Sequence, residues 1–184
     1  MMIKSEFVKE TKLEGLLVID RPLHEDNRGF FREAFKMTDL QDLGIDFNPL
    51  QVNHSVSKPG VIRALHAESW DKLVYPVTGE IFIAVVDIRP ESKTFGQVET
   101  FNMSHNDRRL LYIPVGFANS ICVVGEEPVN YIYLVDQYYT GQDTRAIAWN
   151  DPDLAIKWPV DNPIISERDQ NNPNLRVLFP EKFK

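Results

Sequence analysis

Along most of this chain, short apolar–polar segments with a period of two alternate with breaks rich in Gly, Pro, Asn and Asp, roughly every ten residues. That rhythm predicts strands over residues 13–20, 30–35, 51–56, 80–88, 96–103, 109–114, 118–124 and 129–136, with a strand pair joined by a tight connection over 61–77. The turns fall at 24–29, 58–60, 78–79, 104–107 and 125–128. Residues 80–88 are β-branched and almost continuously apolar, which makes them the best candidate for a central strand. Residues 37–43 depart from the period: apolar side chains at 37, 40 and 43 suit two helical turns, with Gly44 as the stop. After Trp149 the pattern breaks up. Turns are expected at 150–153, 158–159 and 162–163, residues 164–169 form a short apolar segment ending in charge, and 170–184 read as a C-terminal surface tail. The fold class is all-β, a jelly-roll sandwich or barrel with short peripheral helices, in one domain over 1–184.

A formal net charge of −7 argues against nucleic acid or an anionic membrane as partner, since both require excess Lys and Arg. A small anionic ligand needs only a local group of cations. The longest apolar run is far short of the ~20 residues that span a bilayer, and the first residues lack the apolar core of a signal peptide; a cytoplasmic protein is expected. The single cysteine, Cys122, cannot form an internal disulfide and reads as a buried small hydrophobe.

The four histidines, His24, His54, His66 and His105, include no His-x-His pair, so no metal is expected. There is no Gly-x-Ser-x-Gly elbow and no dinucleotide fingerprint, which leaves general acid–base chemistry. His66 is the natural base because imidazole titrates near neutrality. Arg63 and Lys72 lie close to it in sequence and could hold an anion. Tyr131 and Tyr133 share strand parity and so face one side; they serve either as packing or as a proton donor. Arg63 and His66 are three positions apart, on opposite faces of a regular strand. For both to reach one pocket, the strand must end, twist or bulge near Leu65.

Ten segments, in order, resemble one family: Asp-Asn-Arg-Gly-Phe-Phe from 26 with Glu33, Val-Ile-Arg-Ala-Leu-His from 61, Lys-Leu-Val from 72, Gly-Glu-Ile-Phe from 79, Val-Asp-Ile-Arg from 86, Thr-Phe-Gly-Gln from 94, Ile-Pro-Val-Gly-Phe-Ala from 113, Tyr138 and Tyr139, Trp-Asn-Asp-Pro from 149, and Ile-Ser-Glu-Arg-Asp from 165. The set is similar to the dTDP-4-dehydrorhamnose 3,5-epimerase family. The resemblance implies a cupin-like jelly-roll homodimer without cofactor or metal, acting on a nucleotide-linked 4-keto-6-deoxy sugar. It assigns His66 as the base, Asp169 as its carboxylate partner, Lys72 as the stabiliser of the enolate oxygen and Tyr133 as the acid on the opposite face. It further implies substrate contacts for Arg63, Arg28, Glu33, Gln51 and Asn53, with Tyr139 beside the nucleotide.

Three departures stand out. The family's Arg-Gly-Leu-His, followed by an aromatic residue and Gln, here runs Arg63, Ala64, Leu65, His66, Ala67, Glu68. Only five residues separate His66 from Lys72, fewer than is usual in the family. Phe-Ala-His-Gly becomes Phe117, Ala118, Asn119, Ser120, so Asn119 replaces a histidine that holds the keto region of the sugar; it can donate a hydrogen bond but carries no charge. These changes surround the sugar, so a different sugar or a single epimerised carbon is expected, with preference set by the connection 67–71. A 3,4-ketoisomerase on the same scaffold and a non-catalytic nucleotide-sugar-binding barrel are the competing readings.

Overall fold

The computed structural model describes residues 6–107, 109–141 and 145–183. Thirteen strands occur among them: β1 (Val8–Glu10), β2 (Leu17–Asp20), β3 (His24–Asp26), β4 (Gly29–Phe31), β5 (Gln51–Ser57), β6 (Ile62–Ala67), β7 (Lys72–Pro76), β8 (Glu80–Asp87), β9 (Val98–Ser104), β10 (Arg109–Ile113), β11 (Phe117–Val123), β12 (Val129–Val135) and β13 (Arg145–Ala146). A six-stranded sheet has the order β1-β2-β10-β7-β12-β5, and a five-stranded sheet has the order β13-β6-β11-β8-β9. Every strand pairing is antiparallel, and β3–β4 is a separate hairpin.

The two sheets pack face to face. Val74, Leu111, Ile113, Val129 and Tyr131 from the larger sheet meet Ile81, Ile83, Val85, Met103, Phe117, Ile121 and Val123 from the smaller in one buried cluster. The reason that β8 carries no polar alternation is now visible. Ile81, Ile83 and Val85 point into this core, whereas Phe82, Ala84 and Val86 pack on the outer face beneath the C-terminal segment. Cys122 is buried in that outer layer, as its sequence context predicts.

The predicted strands 51–56, 80–88, 96–103, 109–114, 118–124 and 129–136 appear within a few residues of their expected ends. The turns at Gly60 and Gly79 adopt φ of 75°, which a side chain would resist. At Gly79 an added Cβ would also meet Val129 Cγ2 at 2.6 Å. The helix expected over 37–43 is α1 (Met37–Gln41), and Gly44 follows with φ of 76°.

Four expectations are corrected. Residues 24–29 are not simply a turn: β3 begins at His24 and pairs with β4. All six residues of β3 and β4 are exposed, so the hairpin lacked the apolar face that marks a strand. The strand expected over 30–35 stops at Phe31. Strands β1 and β13 were missed because two or three residues give no readable period.

The fourth correction concerns 170–184. It is not a surface tail: α3 (Leu175–Leu178) seats Leu175 and Phe179 in a buried cluster with Leu65, Ala67, Val86 and Ala118. Asp151 Oδ2 accepts from Leu175 N at 2.6 Å and fixes the start of that helix. Two apolar anchors spaced among amides and prolines are too sparse to signal burial from sequence. Between them and β13 lies α2 (Glu167–Gln170), which supplies one member of the site.

Candidate active site

A cavity of about 280 Å³ opens between the sheets, and both contribute to its walls. The smaller sheet supplies Arg63 and His66 from β6 and Asn119 from β11; the larger supplies Lys72 from β7, Tyr131 and Tyr133 from β12, and Gln51, Asn53 and Ser55 from β5.

The parity conflict between Arg63 and His66 is resolved by a β-bulge. Across β6 and β11, His66 pairs with Asn119 and Arg63 with Ile121, so three steps on β6 match two on β11. Ala64 and Leu65 consequently both turn to the outer layers, and Arg63 and His66 both reach the cavity. Asp169 closes the arrangement: its Oδ1 accepts from His66 Nε2 at 2.8 Å, and its Oδ2 lies 3.4 Å from the Ala64 N–H in the bulge. One carboxylate thus satisfies the bulge and orients the imidazole. Asp169 is held there by α2, whose capping Ser166 accepts from the Asp169 N–H at 3.1 Å.

Burial pushes the Asp169 carboxyl up. The hydrogen bond and charge of His66, the Ala64 N–H and the nearby Arg168 outweigh it, so the pKa falls to about 2. With the proton on Nε2 directed at Asp169, the basic atom of His66 is Nδ1.

Lys72 is buried, and its Nζ donates to Asn119 Oδ1 at 2.5 Å and to Glu68 Oε2. Burial pushes its pKa down, and the charge and hydrogen bond of Glu68 push it back part of the way. Tyr133 stands on the wall opposite His66. Burial raises its pKa, the Glu68 charge adds to that, and Arg63 opposes it, so the phenol keeps its proton near neutrality. Arg63 is braced by Ser57 Oγ, which accepts from Nε at 2.9 Å. Gln51 donates to Asn53 Oδ1 at 2.7 Å and accepts from Tyr139 N at 3.1 Å; Tyr139 also meets Trp70 edge-on, with ring centroids 6.2 Å apart.

Of the residues assigned from sequence, His66, Lys72, Tyr133, Gln51, Asn53, Arg63, Asn119 and Tyr139 line this cavity, and Asp169 stands behind His66. Arg28 and Glu33 do not line it. Arg28 is exposed on the β3–β4 hairpin and pairs with Asp26; Glu33 accepts from Arg21 and pairs with Lys36. Residues outside those assignments also face the cavity: Glu68, Ser55, Trp70, Tyr131 and Arg168 among them. Parity could have found three of these, since Glu68 follows His66 by two, Ser55 follows Asn53 by two and Tyr131 precedes Tyr133 by two. Arg168 carries no such signal. The hydroxyls of Ser55 and Tyr131 and the Trp70 indole N–H are buried without a protein partner, which leaves polar groups in the wall for a ligand to meet.

A family model described as dTDP-4-dehydrorhamnose 3,5-epimerase matches residues 10–177. The chain belongs to the dTDP-4-dehydrorhamnose 3,5-epimerase family. A member from Shigella flexneri is 37% identical over 169 residues, covering 89% of this chain and 93% of that one. The crystal structure of a dTDP-6-deoxy-D-glucose-3,5-epimerase from Legionella pneumophila, in complex with dTDP-4-keto-L-rhamnose, superposes with a TM-score of 0.88 at 34% identity, covering 95% of each chain. A 3'-monoepimerase from Streptomyces bikiniensis, in complex with dTDP-quinovose, gives a TM-score of 0.86 at 30% identity, covering 94% of this chain and 89% of that one. The fold of this family member is accordingly the cupin-like jelly roll. Among the described residues no helix is long and apolar enough to cross a membrane, and no group of three or more His, Cys, Asp and Glu side chains could hold a metal ion.

Proposed function

We propose that this chain inverts C3, C5 or both of a dTDP-linked 4-keto-6-deoxy sugar through an enolate, with His66 as base and Tyr133 as acid. Family membership makes it a sugar-nucleotide epimerase, an isomerase. The observation that supports this mechanism is that His66 and Tyr133 line one cavity from different sheets, in company with Lys72 and Asn119. His66 Nδ1 takes the proton from the carbon beside the ketone, the C–H electron pair becomes the new C=C bond, and the C=O π pair moves onto the carbonyl oxygen. Lys72 Nζ and the Asn119 amide donate to that oxygen, where negative charge develops. Tyr133 Oη then delivers a proton to the other face of the carbon, the ketone re-forms, and solvent restores the imidazole and the phenol. The step is redox-neutral: one proton leaves to the imidazole, one arrives from the phenol, and solvent closes the balance. Arg63 and Arg168 supply positive charge for the diphosphate.

In deuterated water, a dTDP-4-keto-6-deoxyhexose is expected to take up deuterium at the inverted carbons, read by proton NMR. Uptake at one carbon makes the enzyme a monoepimerase. A product with the carbonyl moved to C3 makes it a ketoisomerase, and no uptake with any nucleotide would sink the reading.

The same reading takes a homodimer as the working unit. On β5 the usual alternation is inverted: Gln51, Asn53 and Ser55 face the cavity, whereas Val52 and Val56 point outward at 63% and 56% exposure. β5 is also an open sheet edge. The β3–β4 hairpin adds Phe30 and Phe31, 55% and 68% exposed. A second copy against these apolar groups would bury them and could bring Arg28 and Glu33 to its neighbour's cavity. Sedimentation equilibrium is expected to give twice the chain mass, shifting towards monomer on Val52→Lys; a monomeric wild-type protein would rule this arrangement out. The cytoplasm, where a buried free thiol such as Cys122 persists, is the compartment this reading takes.

A further inference from the structure

Lys72 is the first residue of β7, and its ammonium lies inside the barrel. Its neighbours across the sheet there are Ile113 on β10 and Val135 on β12, neither of which carries charge. Besides Glu68, the titratable groups that face the same space are Arg63 and His66 from β6, Tyr131 and Tyr133 from β12, Tyr139 from the segment after β12, and Arg168 from α2. None of these supplies a contacting negative charge, and Asp169 is engaged by His66. Glu68 is the carboxylate that touches Lys72, from the connection between β6 and β7.

That connection is fastened close to Glu68. Asp71 Oδ1 accepts from Val115 N at 2.8 Å, Asp71 Oδ2 accepts from Tyr112 Oη, and Asp71 N donates to Asp136 Oδ1 at 3.0 Å. Gln137 Nε2 donates to the Ser69 carbonyl at 2.9 Å. The Glu68 side chain is 13% exposed. Its carboxylate is therefore held by a short, anchored segment.

An ammonium has three N–H donors. Two of Lys72's go to Glu68 Oε2 and Asn119 Oδ1, which leaves one for a substrate oxygen. The bond to Asn119 also sets the orientation of that amide. With its oxygen on Lys72, its NH2 is the group left to donate to the same substrate oxygen.

We propose that Glu68 is a positioning residue for this reaction: with Asn119 it fixes the Lys72 ammonium in the cavity wall and supplies the negative charge that burial of the ammonium requires. The proposal rests on the epimerase reading for its catalytic consequence, but not for its physical basis. Burial disfavours the charged form of Lys72 and Glu68 favours it. Glu68→Gln keeps the shape and one acceptor and removes the charge. Lys72 should then lose its proton at a pH lower by roughly one to three units, the range for a contacting opposite charge.

The test uses the whole ligand-free protein. Lysine 13Cε and 15Nζ resonances are titrated by NMR, with Lys72→Arg identifying the Lys72 signal. The expected result is a Lys72 transition displaced downward in Glu68→Gln and partly restored in Glu68→Asp. An unchanged transition in Glu68→Gln overturns the proposal. Should Glu68→Gln fail to fold, Glu68→Asp carries the test by itself, because a carboxylate drawn back by one methylene should still displace the transition downward. A Lys72 transition that does not move in that variant overturns it equally.

In the exchange assay, the alkaline limb of kcat for Glu68→Gln should move down with the Lys72 transition, with KM little changed; a wild-type alkaline limb overturns the coupling to catalysis. Failure of wild-type exchange would sink the epimerase reading and leave the NMR result intact.

Discussion

Replacing His66 by alanine is expected to abolish deuterium uptake at every exchanging carbon and to lower turnover by about 10²- to 10⁴-fold, the usual range for loss of a general base. Among the described residues that line the cavity, no second imidazole stands ready to substitute. The next basic side chain in the cavity, Lys72, is engaged with Glu68 and Asn119, and Tyr133 sits on the opposite wall with its pKa raised. Retained uptake in the variant would show that the base is assigned wrongly. A linked effect belongs to the same substitution. Asp169 has a folded pKa of about 2, below its ordinary 3.8, so its contribution to stability is full above the ordinary value and fades as pH falls through 2. Part of that depression comes from His66. Without it, the folded pKa of Asp169 rises, the contribution is smaller, and its loss on acidification, which still begins near the ordinary value, is complete at a higher pH. Chemical denaturation of both proteins across pH 2 to 5 reads this directly.

The second large effect separates inversion from exchange. Tyr133→Phe removes the proton donor on the wall opposite His66 and leaves base, Lys72 and Asn119 intact. His66 can still remove a proton, exchange it with solvent and return it to the same face. Deuterium uptake into unchanged substrate should therefore persist, while the inverted product falls by roughly 10²-fold or more. His66→Ala loses both signals together, so the two variants have distinct signatures by NMR. If Tyr133→Phe inverted at the wild-type rate, the acid would have to be another hydroxyl. Tyr131 is one candidate, with its ring centroid 5.9 Å from that of Tyr133. Its own pKa is raised further by burial, which makes it the poorer donor.

Individual residues show where sequence reasoning carried through and where it stopped. The strand rhythm was legible because period-two alternation survives in β5, β9 and β12, and because Gly60 and Gly79 sit at turns that need positive φ. The bulge in β6 was legible as a requirement: Arg63 and His66 could share one cavity only if parity broke near Leu65, and the β6–β11 register breaks there. The burial of Leu175 and Phe179 was not legible, because their contacts lie on β6, β8 and β11, far away in the chain.

The sequence by itself determined the all-β class and the family, because local periodicity and ordered motifs are written along the chain; it also singled out His66, Asp169, Lys72 and Tyr133, the residues on which the proposed mechanism rests. Only the tertiary structure decided which way each face points. On β5 alternation alone would send Val52 and Val56 inward; the cavity instead takes Gln51, Asn53 and Ser55, since polar walls are stable where a ligand and water can meet them. Only the tertiary structure set Tyr133 and His66 on opposite sheets, left Arg28 and Glu33 outside the cavity of their own chain, and joined Glu68 to Lys72 and Asn119. Periodicity reports that two faces differ, whereas packing of distant segments decides which of them is covered, and by what.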